Sequence, residues 1–330
     1  MREEGVAKPQ SLFQHGVDCK RMDAHTEKTA IWLNERYRAV DESGVYLAHQ
    51  PIYGFRSGPT EEGILRRYVI TYQIMRALAH LQMESLLDVG CSEGFKTHLA
   101  AEFFGIPMRG CDLSEEACRR AHEIFKVTAD VVDIHEMPYA DGEFDVLLCS
   151  ETLEHATDFK KALSELMRVA RRTVVISVPH EPEELVERNR AIDEPHAHFH
   201  SFDEHSFDFL REAGHQVFVQ KILSPIVRIG SYLVDAHQIK STSRRAGWMI
   251  ALYNAIMPLL NLIFGERAAT AVLHLDEYFS RHASSYEAII VTVMKDGSVF
   301  RTIEKPHISA REILRSHVPL HYLKGQDKPR

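Results

Sequence analysis

Apolar positions follow two periods along the middle of this chain. Residues 64–81 carry Ile64, Leu65, Val69, Tyr72, Ile74, Met75 and Leu78 at helical spacing, which predicts one amphipathic helix. Short apolar runs then alternate with helix-sized segments. Residues 86–89, 107–113, 129–134, 146–149 and 173–178 read as strands, and residues 93–104, 115–125 and 159–169 as the helices between them. Leu86, Leu87 and Val89, like Val146, Leu147, Leu148 and Cys149, are apolar without a break, as in a strand covered on both faces. Alternation of this kind predicts an α/β chain with a doubly wound, mostly parallel sheet. Two further strands are expected at 216–223 and 286–294. Ser114 is placed to cap the helix at 115–125. Ser201 with Glu204, and Ser309 with Glu312, have capping-box spacing, for helices reaching Ala213 and about residue 317.

The turn after the first strand organises the rest. Asp88-Val89-Gly90-Cys91-Ser92-Glu93-Gly94 brackets a tight turn with two glycines and leads into a helix whose first N–H groups face whatever lies over the turn. A dinucleotide fingerprint would need three glycines in the order G-x-G-x-x-G, which this turn does not have. The D-x-G-x-S-x-G frame instead resembles motif I of the class I S-adenosylmethionine-dependent methyltransferases, with Ser92 in place of the usual middle glycine. Asp112 ends the second strand 22 residues after Gly90, where an acid can accept hydrogen bonds from ribose hydroxyls. The run from Asp133 through Asp141-Gly142-Glu143-Phe144-Asp145 to the apolar fourth strand resembles the broad group that includes the ubiquinone-pathway O-methyltransferases. The likeness covers roughly residues 64–220. It implies S-adenosyl-L-methionine as cofactor and a seven-stranded Rossmann-like sheet whose last strand is antiparallel. It also places Asp88, Gly90, Cys91, Gly94, Asp112, Leu113, Asp133, Ile134 and Ser150 around the cofactor, with Asp133 and the Ile134 N–H at the adenine.

Chemistry beyond the cofactor is expected after the fourth strand. On a helix, Glu151, Glu154 and His155 would share one face. Methyl transfer to a hydroxyl needs a proton acceptor, and His155 is the candidate, with Glu151 and His180 at the same sheet edge. The same Glu151, Glu154 and His155, with a later histidine, also resemble the metal set of small-RNA 2′-O-methyltransferases. The reading adopted here is O-methylation of a small or hydrophobic hydroxyl acceptor with no resident metal. Its rivals are metal-dependent RNA 2′-O-methylation and a non-catalytic cofactor-binding protein. His196, His198 and His200 alternate, so in an extended segment they would point to one side.

Composition narrows this picture. The chain has 330 residues, 45% apolar and 26% charged, as expected of a globular protein, and a formal net charge of −8, which argues against a broad nucleic-acid-binding surface. Five cysteines without a C-x-x-C spacing, and a polar, charged start, point to buried thiols in the cytoplasm. The organisation expected is an N-terminal arm (1–60), a cofactor-binding core (61–223), an insert (224–284), a last core strand (285–296) and a tail (297–330). The connection between strands six and seven is far longer than a hairpin and is expected to form a helical cap over the acceptor site. Within it, residues 248–264 are a 17-residue apolar stretch interrupted by Asn254, Pro258 and Asn261. That is short for a membrane span of ~20 residues. Peripheral membrane contact and a lipid-like acceptor suit it.

Overall fold

The computed structural model describes residues 22–54, 64–223, 247–282, 284–295 and 308–316. Cys19, residues 224–246 of the insert, the Asp296-Gly297 turn and most of the tail therefore lie outside the described residues.

In chain order the elements are α1 (Ala24–Arg38), α2 (Ile64–Leu78), β1 (Leu86–Val89), α3 (Phe95–Phe104), β2 (Met108–Asp112), α4 (Glu115–Phe125), β3 (Ala129–Val131), β4 (Phe144–Ser150), α5 (Phe159–Val169), β5 (Ala170–Pro179), α6 (Glu183–Ile192), α7 (Asp208–Glu212), β6 (Gln216–Ile222), α8 (Gly247–His282), β7 (Ala288–Met294) and α9 (Ala310–Arg315). The strands form one seven-stranded sheet in the order β3-β2-β1-β4-β5-β7-β6. β1 to β5 run parallel, and β7 runs antiparallel to both β5 and β6. The α/β class and the doubly wound sheet are therefore as the sequence pattern implies, and the reversed last strand is as the resemblance implies.

Period-two side chains divide the core into two layers. Leu86, Val146, Leu148 and Val175 face one side, against α2, α3, α8 and α9. Leu87, Val89, Leu147, Cys149, Val174 and Ile176 face the other, against α5 and α7. α1 packs on α4, with Leu33 and Tyr37 against Ala117. Cys91, Cys111, Cys118 and Cys149 are buried and unpaired.

Helix ends follow their caps where the chemistry is simple. Ser114 Oγ accepts from the Ala117 N–H, and Ser309 from the Glu312 N–H, contacts worth ~1 kcal/mol each. The Ser201–Glu204 box does not form. Ser201 Oγ donates instead to the Glu181 carbonyl, and α7 starts only at Asp208 without a side-chain cap. β3 stops at Val131, so Asp133 lies in the following turn and not on the strand.

The described part of the insert is helical from Gly247 to His282 and sits on the sheet face. Ala269, Val272 and Leu273 of α8 are buried in the α2 layer. Arg76 of α2 pairs with Glu277 at 2.7 Å, and Ser280 Oγ bonds both the N–H and the carbonyl of Leu223. None of the described helices is long and apolar enough to cross a membrane.

Candidate active site

Strand order reverses between β1 and its two neighbours β2 and β4, and the carboxyl ends of these three strands open on a cavity of about 480 Å³. Parallel sheets of this kind place ligands at such a point, and the volume lies in the ~300–1,000 Å³ range of small-molecule sites. The β1 turn forms its floor. Gly90 has φ +76°, and a Cβ there would fall 2.1 Å from Thr152 Oγ1, so both the backbone angle and the close approach require glycine. Ser92 adopts φ 54° in the same turn. That angle explains why glycine is the usual residue at this place in the resembling motif. Here Ser92 is held by its N–H on Asp112 (2.9 Å) and its hydroxyl on Glu93 (2.7 Å).

Asp112, at the end of β2, lines the cavity. One carboxylate oxygen accepts from the Ser92 N–H and the other from the Ser114 N–H, each at 2.9 Å. Burial pushes its pKa up to about 6 despite those two N–H groups, with Glu93 and Asp88 adding to the rise. Each oxygen keeps a second lone pair for a ligand hydroxyl. Asp133 and Ile134 line the next stretch of wall. Asp133 Oδ1 accepts from both the ring (2.7 Å) and the backbone N–H (2.9 Å) of His135, and with this partner it titrates below the ordinary carboxylate range although burial works against it.

The N-terminal segment closes the cavity. Thr26, Thr29, Leu33 and Tyr37 of α1, and His49, Gln50 and Pro51 beyond it, all line it, as do Arg66, Arg67, Ile70 and Thr71 of α2. Three contacts fasten this arm to the β1 turn. The Tyr37 hydroxyl lies 2.5 Å from Ser92 Oγ. Gln50 Oε1 accepts from the Phe95 N–H at the start of α3. Glu93, fully buried, accepts from the His49 N–H and faces Arg120 at 3.6 Å. Arg120 in turn donates to the carbonyls of Tyr37 and Leu47 and lies over the Tyr46 ring. One helix N–H expected to face the ligand is thus taken by Gln50.

The wall opposite is acidic and imidazole-rich. Glu151, Glu154 and His155 do not share a helix face. Glu151 follows β4 with φ 53°, and Leu153–His155 is a single 3-10 turn. All three still line the cavity, with Lys96, His196 and His198. Glu151 is fixed by the Ser177 hydroxyl at 2.8 Å. His155 Nδ1 bonds the Ala197 carbonyl at 3.1 Å, and its ring lies 3.7 Å from that of His196 and 4.7 Å from that of His198, centroid to centroid. Burial, with His196 and His198 beside it, holds the His155 pKa well below the usual value. Lys96 is lowered by burial, with Asp88, Glu151 and Glu154 opposing the fall. The alternating histidines split. His196 and His198 reach His155, whereas His200 packs on Phe159 with Nε2 on the Ala156 carbonyl (2.8 Å).

Residues 82–220, which build this floor and wall, match the model of a methyltransferase domain family. This stretch is a methyltransferase domain. Related proteins include norajmaline N-methyltransferase of Rauvolfia serpentina, 37% identical over 26% of this chain and 32% of that protein. Another is fatty-acid O-methyltransferase of Mycolicibacterium smegmatis, 30% identical over 46% of this chain and 59% of that one. A solved geranyl diphosphate C-methyltransferase from Streptomyces coelicolor aligns over 82% of this chain and 98% of its own, at 16% identity and TM-score 0.47. The chain spans about a third of the length of the first curated relatives it matches.

Within the methyltransferase domain the cavity brings together Gly90, Asp112, Leu113, Asp133, Ile134, Ser150, Glu151 and His155 of the residues singled out from sequence. Asp88, Cys91, Gly94 and His180 do not line it. Asp88 accepts from Thr97 Oγ1 at 2.7 Å inside the core. Cys91 is buried against α4, and Gly94 is the left-handed residue that starts α3. His180 Nδ1 lies 2.6 Å from the Phe202 carbonyl, with its ring against Tyr286. Tyr37, Gln50, Glu93, Lys96 and Arg120 escaped the sequence reading. The aromatic and glycine content of residues 46–58 was the available signal for the arm.

Proposed function

We propose that this chain transfers a methyl group to an oxygen of a small, largely apolar acceptor. The observation that carries the reading is one cavity with two unlike sides: nucleotide-type contacts at Asp112, Asp133 and Ile134, and the Glu151–His155 wall across from them. The residues fit the cofactor. Asp112 would take the ribose hydroxyls, Asp133 and the Ile134 N–H the adenine, and the Gly90–Ser92 turn the remainder. S-adenosylmethionine supplies an electrophilic methyl carbon when bound. Our residues' task is then alignment and proton handling. Asp112 and the β1 turn fix one end, Leu33, Ile70 and Val132 exclude water, and Glu151 and His155 receive the hydroxyl proton. His155 is already unprotonated near neutral pH, the form a proton acceptor needs, although its depressed pKa makes it a weak base that gains from the carboxylates beside it.

The fatty-acid O-methyltransferase relative lends support to an oxygen acceptor of apolar character. An amine acceptor, as in the norajmaline relative, is the second reading. The carboxylate–imidazole wall favours oxygen, because an amine has less need of a proton acceptor. Four buried, unpaired thiols suit a reducing compartment such as the cytoplasm. The decisive experiment is calorimetric titration with S-adenosylhomocysteine, with NADH as control. One-to-one binding of the first alone is expected. Binding of NADH instead, or of neither by folded protein, would overturn the reading.

A further inference from the structure

Glu154 is 1% exposed, and its Oε2 makes no hydrogen bond. A buried carboxylate oxygen left in this state is costly unless a cation completes it. Two imidazoles converge on the same place. One ligand atom each from Glu154, His155 and His198 lie within 4.8 Å of one another, and His155 Nε2 is 3.9 Å from Glu154 Oε1.

The outward nitrogens of both rings are already engaged. His155 Nδ1 is on the Ala197 carbonyl at 3.1 Å, and His198 Nδ1 is on Glu181 Oε2 at 2.6 Å. A carbonyl and a carboxylate only accept, so each places the proton on Nδ1 and leaves an Nε2 lone pair. Metal-ligating histidines are held in the same way, by a carbonyl or carboxylate behind the ring.

We infer that Glu154, His155 and His198 form a binding site for a divalent first-row transition ion such as Zn²⁺, Fe²⁺ or Mn²⁺. Two imidazole nitrogens with one carboxylate suit such ions better than Mg²⁺ or Ca²⁺, which favour oxygen ligands throughout. Three protein ligands leave positions open, the mark of a site that also takes water or substrate. All three residues line the cavity, so the open side faces the acceptor space. An ion there would coordinate the acceptor hydroxyl and lower its pKa. The proton passes to Glu151, the new oxygen–carbon bond forms, and the carbon–sulfur bond breaks with its electron pair retained by sulfur. His155 then serves as a ligand and Glu151 as proton acceptor. The role of the ion rests on the proposed methyl transfer; its binding does not.

The test uses full-length, tag-free protein stripped with chelator and titrated with Co²⁺ and Zn²⁺. One saturating equivalent is expected, with visible absorption bands for Co²⁺ that Zn²⁺ displaces. Glu181→Gln should weaken binding by ~10–100-fold, as loss of a partner behind a ligand does. Glu154→Gln and His198→Asn should weaken it further, and the surface variant His205→Gln should match wild type. S-adenosylhomocysteine binding is measured on every variant. Its retention shows a folded domain, and its absence from wild type would count against the methyltransferase reading alone. No saturable equivalent, or the same affinity in Glu154→Gln and His198→Asn as in wild type, would overturn the metal site.

Discussion

Asp112 is under two opposed demands. Burial favours its neutral form, raising its pKa from 3.8 to about 6, while a ribose hydroxyl bound to it favours the carboxylate. Because the folded-state pKa is the higher one, the folded protein holds this proton more tightly than the unfolded chain does. The group's contribution to stability is therefore greatest below about pH 4 and declines as pH rises to about 6. Cofactor affinity runs the other way. It should be flat above pH 7 and fall by about tenfold per unit below pH 6. Asp112→Asn should bind weakly with no such slope, and an unchanged slope would transfer the titration to Asp133 or Glu93. Asp112 was legible in the sequence because strand-end position and spacing are local properties. Glu93 was not, since a charged residue beside a glycine reads as solvated until Arg120 and the His49 N–H are seen to surround it. Ser92 was legible only as a small residue; its left-handed backbone and the Tyr37 contact depend on the folded turn.

One buried ion pair shares in holding the arm between α1 and α2. Glu93 and Arg120 are 0% and 1% exposed, and Arg120 also holds the Tyr37 and Leu47 carbonyls. Removing one partner of such a pair leaves an uncompensated buried charge, at a cost of about 3–5 kcal/mol. Arg120→Met should lose stability of that order in urea unfolding, and adding Glu93→Gln should recover part of it. A single-variant loss under ~1 kcal/mol would mean that water reaches Glu93 and the pair is not structural. The elements with strong period, α2, α4, α5 and the central strands, fall close to where the apolar pattern puts them. The elements that were misjudged are those set by distant partners. The Glu151–His155 segment becomes a sharp turn and not a helix because its backbone is tied to neighbours. The Glu151 N–H donates to the Ser177 carbonyl, and the Phe199 N–H donates to that of Glu154. Ser201 likewise gives up its capping role to a carbonyl twenty residues away.

At the scale of the molecule, sheet order decides which segments can reach the cavity. β1, β2 and β4 carry it, whereas β6 and β7, which bracket the insert, stand at the far edge beyond β5. A long connection between β6 and β7 reads naturally as a cap when only the sequence is in hand, because length and apolar content are visible and destination is not. The described part of that insert instead lies along the α2 layer, with Trp248, Leu252, Leu259 and Leu262 exposed by half or more, and no described residue of α8 lines the cavity. Among the described residues, the arm and α2 provide the cover. The two covers make different predictions. Replacing Leu252, Leu259 and Leu262 together with lysine should leave S-adenosylhomocysteine affinity within about twofold, since no ligand contact is lost and each side chain already meets solvent. Tyr37→Phe with Gln50→Ala should weaken the same affinity by about tenfold, because two neutral hydrogen bonds that hold the arm to the β1 turn are lost at roughly 0.5–1.5 kcal/mol each. A tenfold loss in the lysine variant, with the arm variant unaffected, would return the cover of the site to the insert and make α8 the element to probe for acceptor choice.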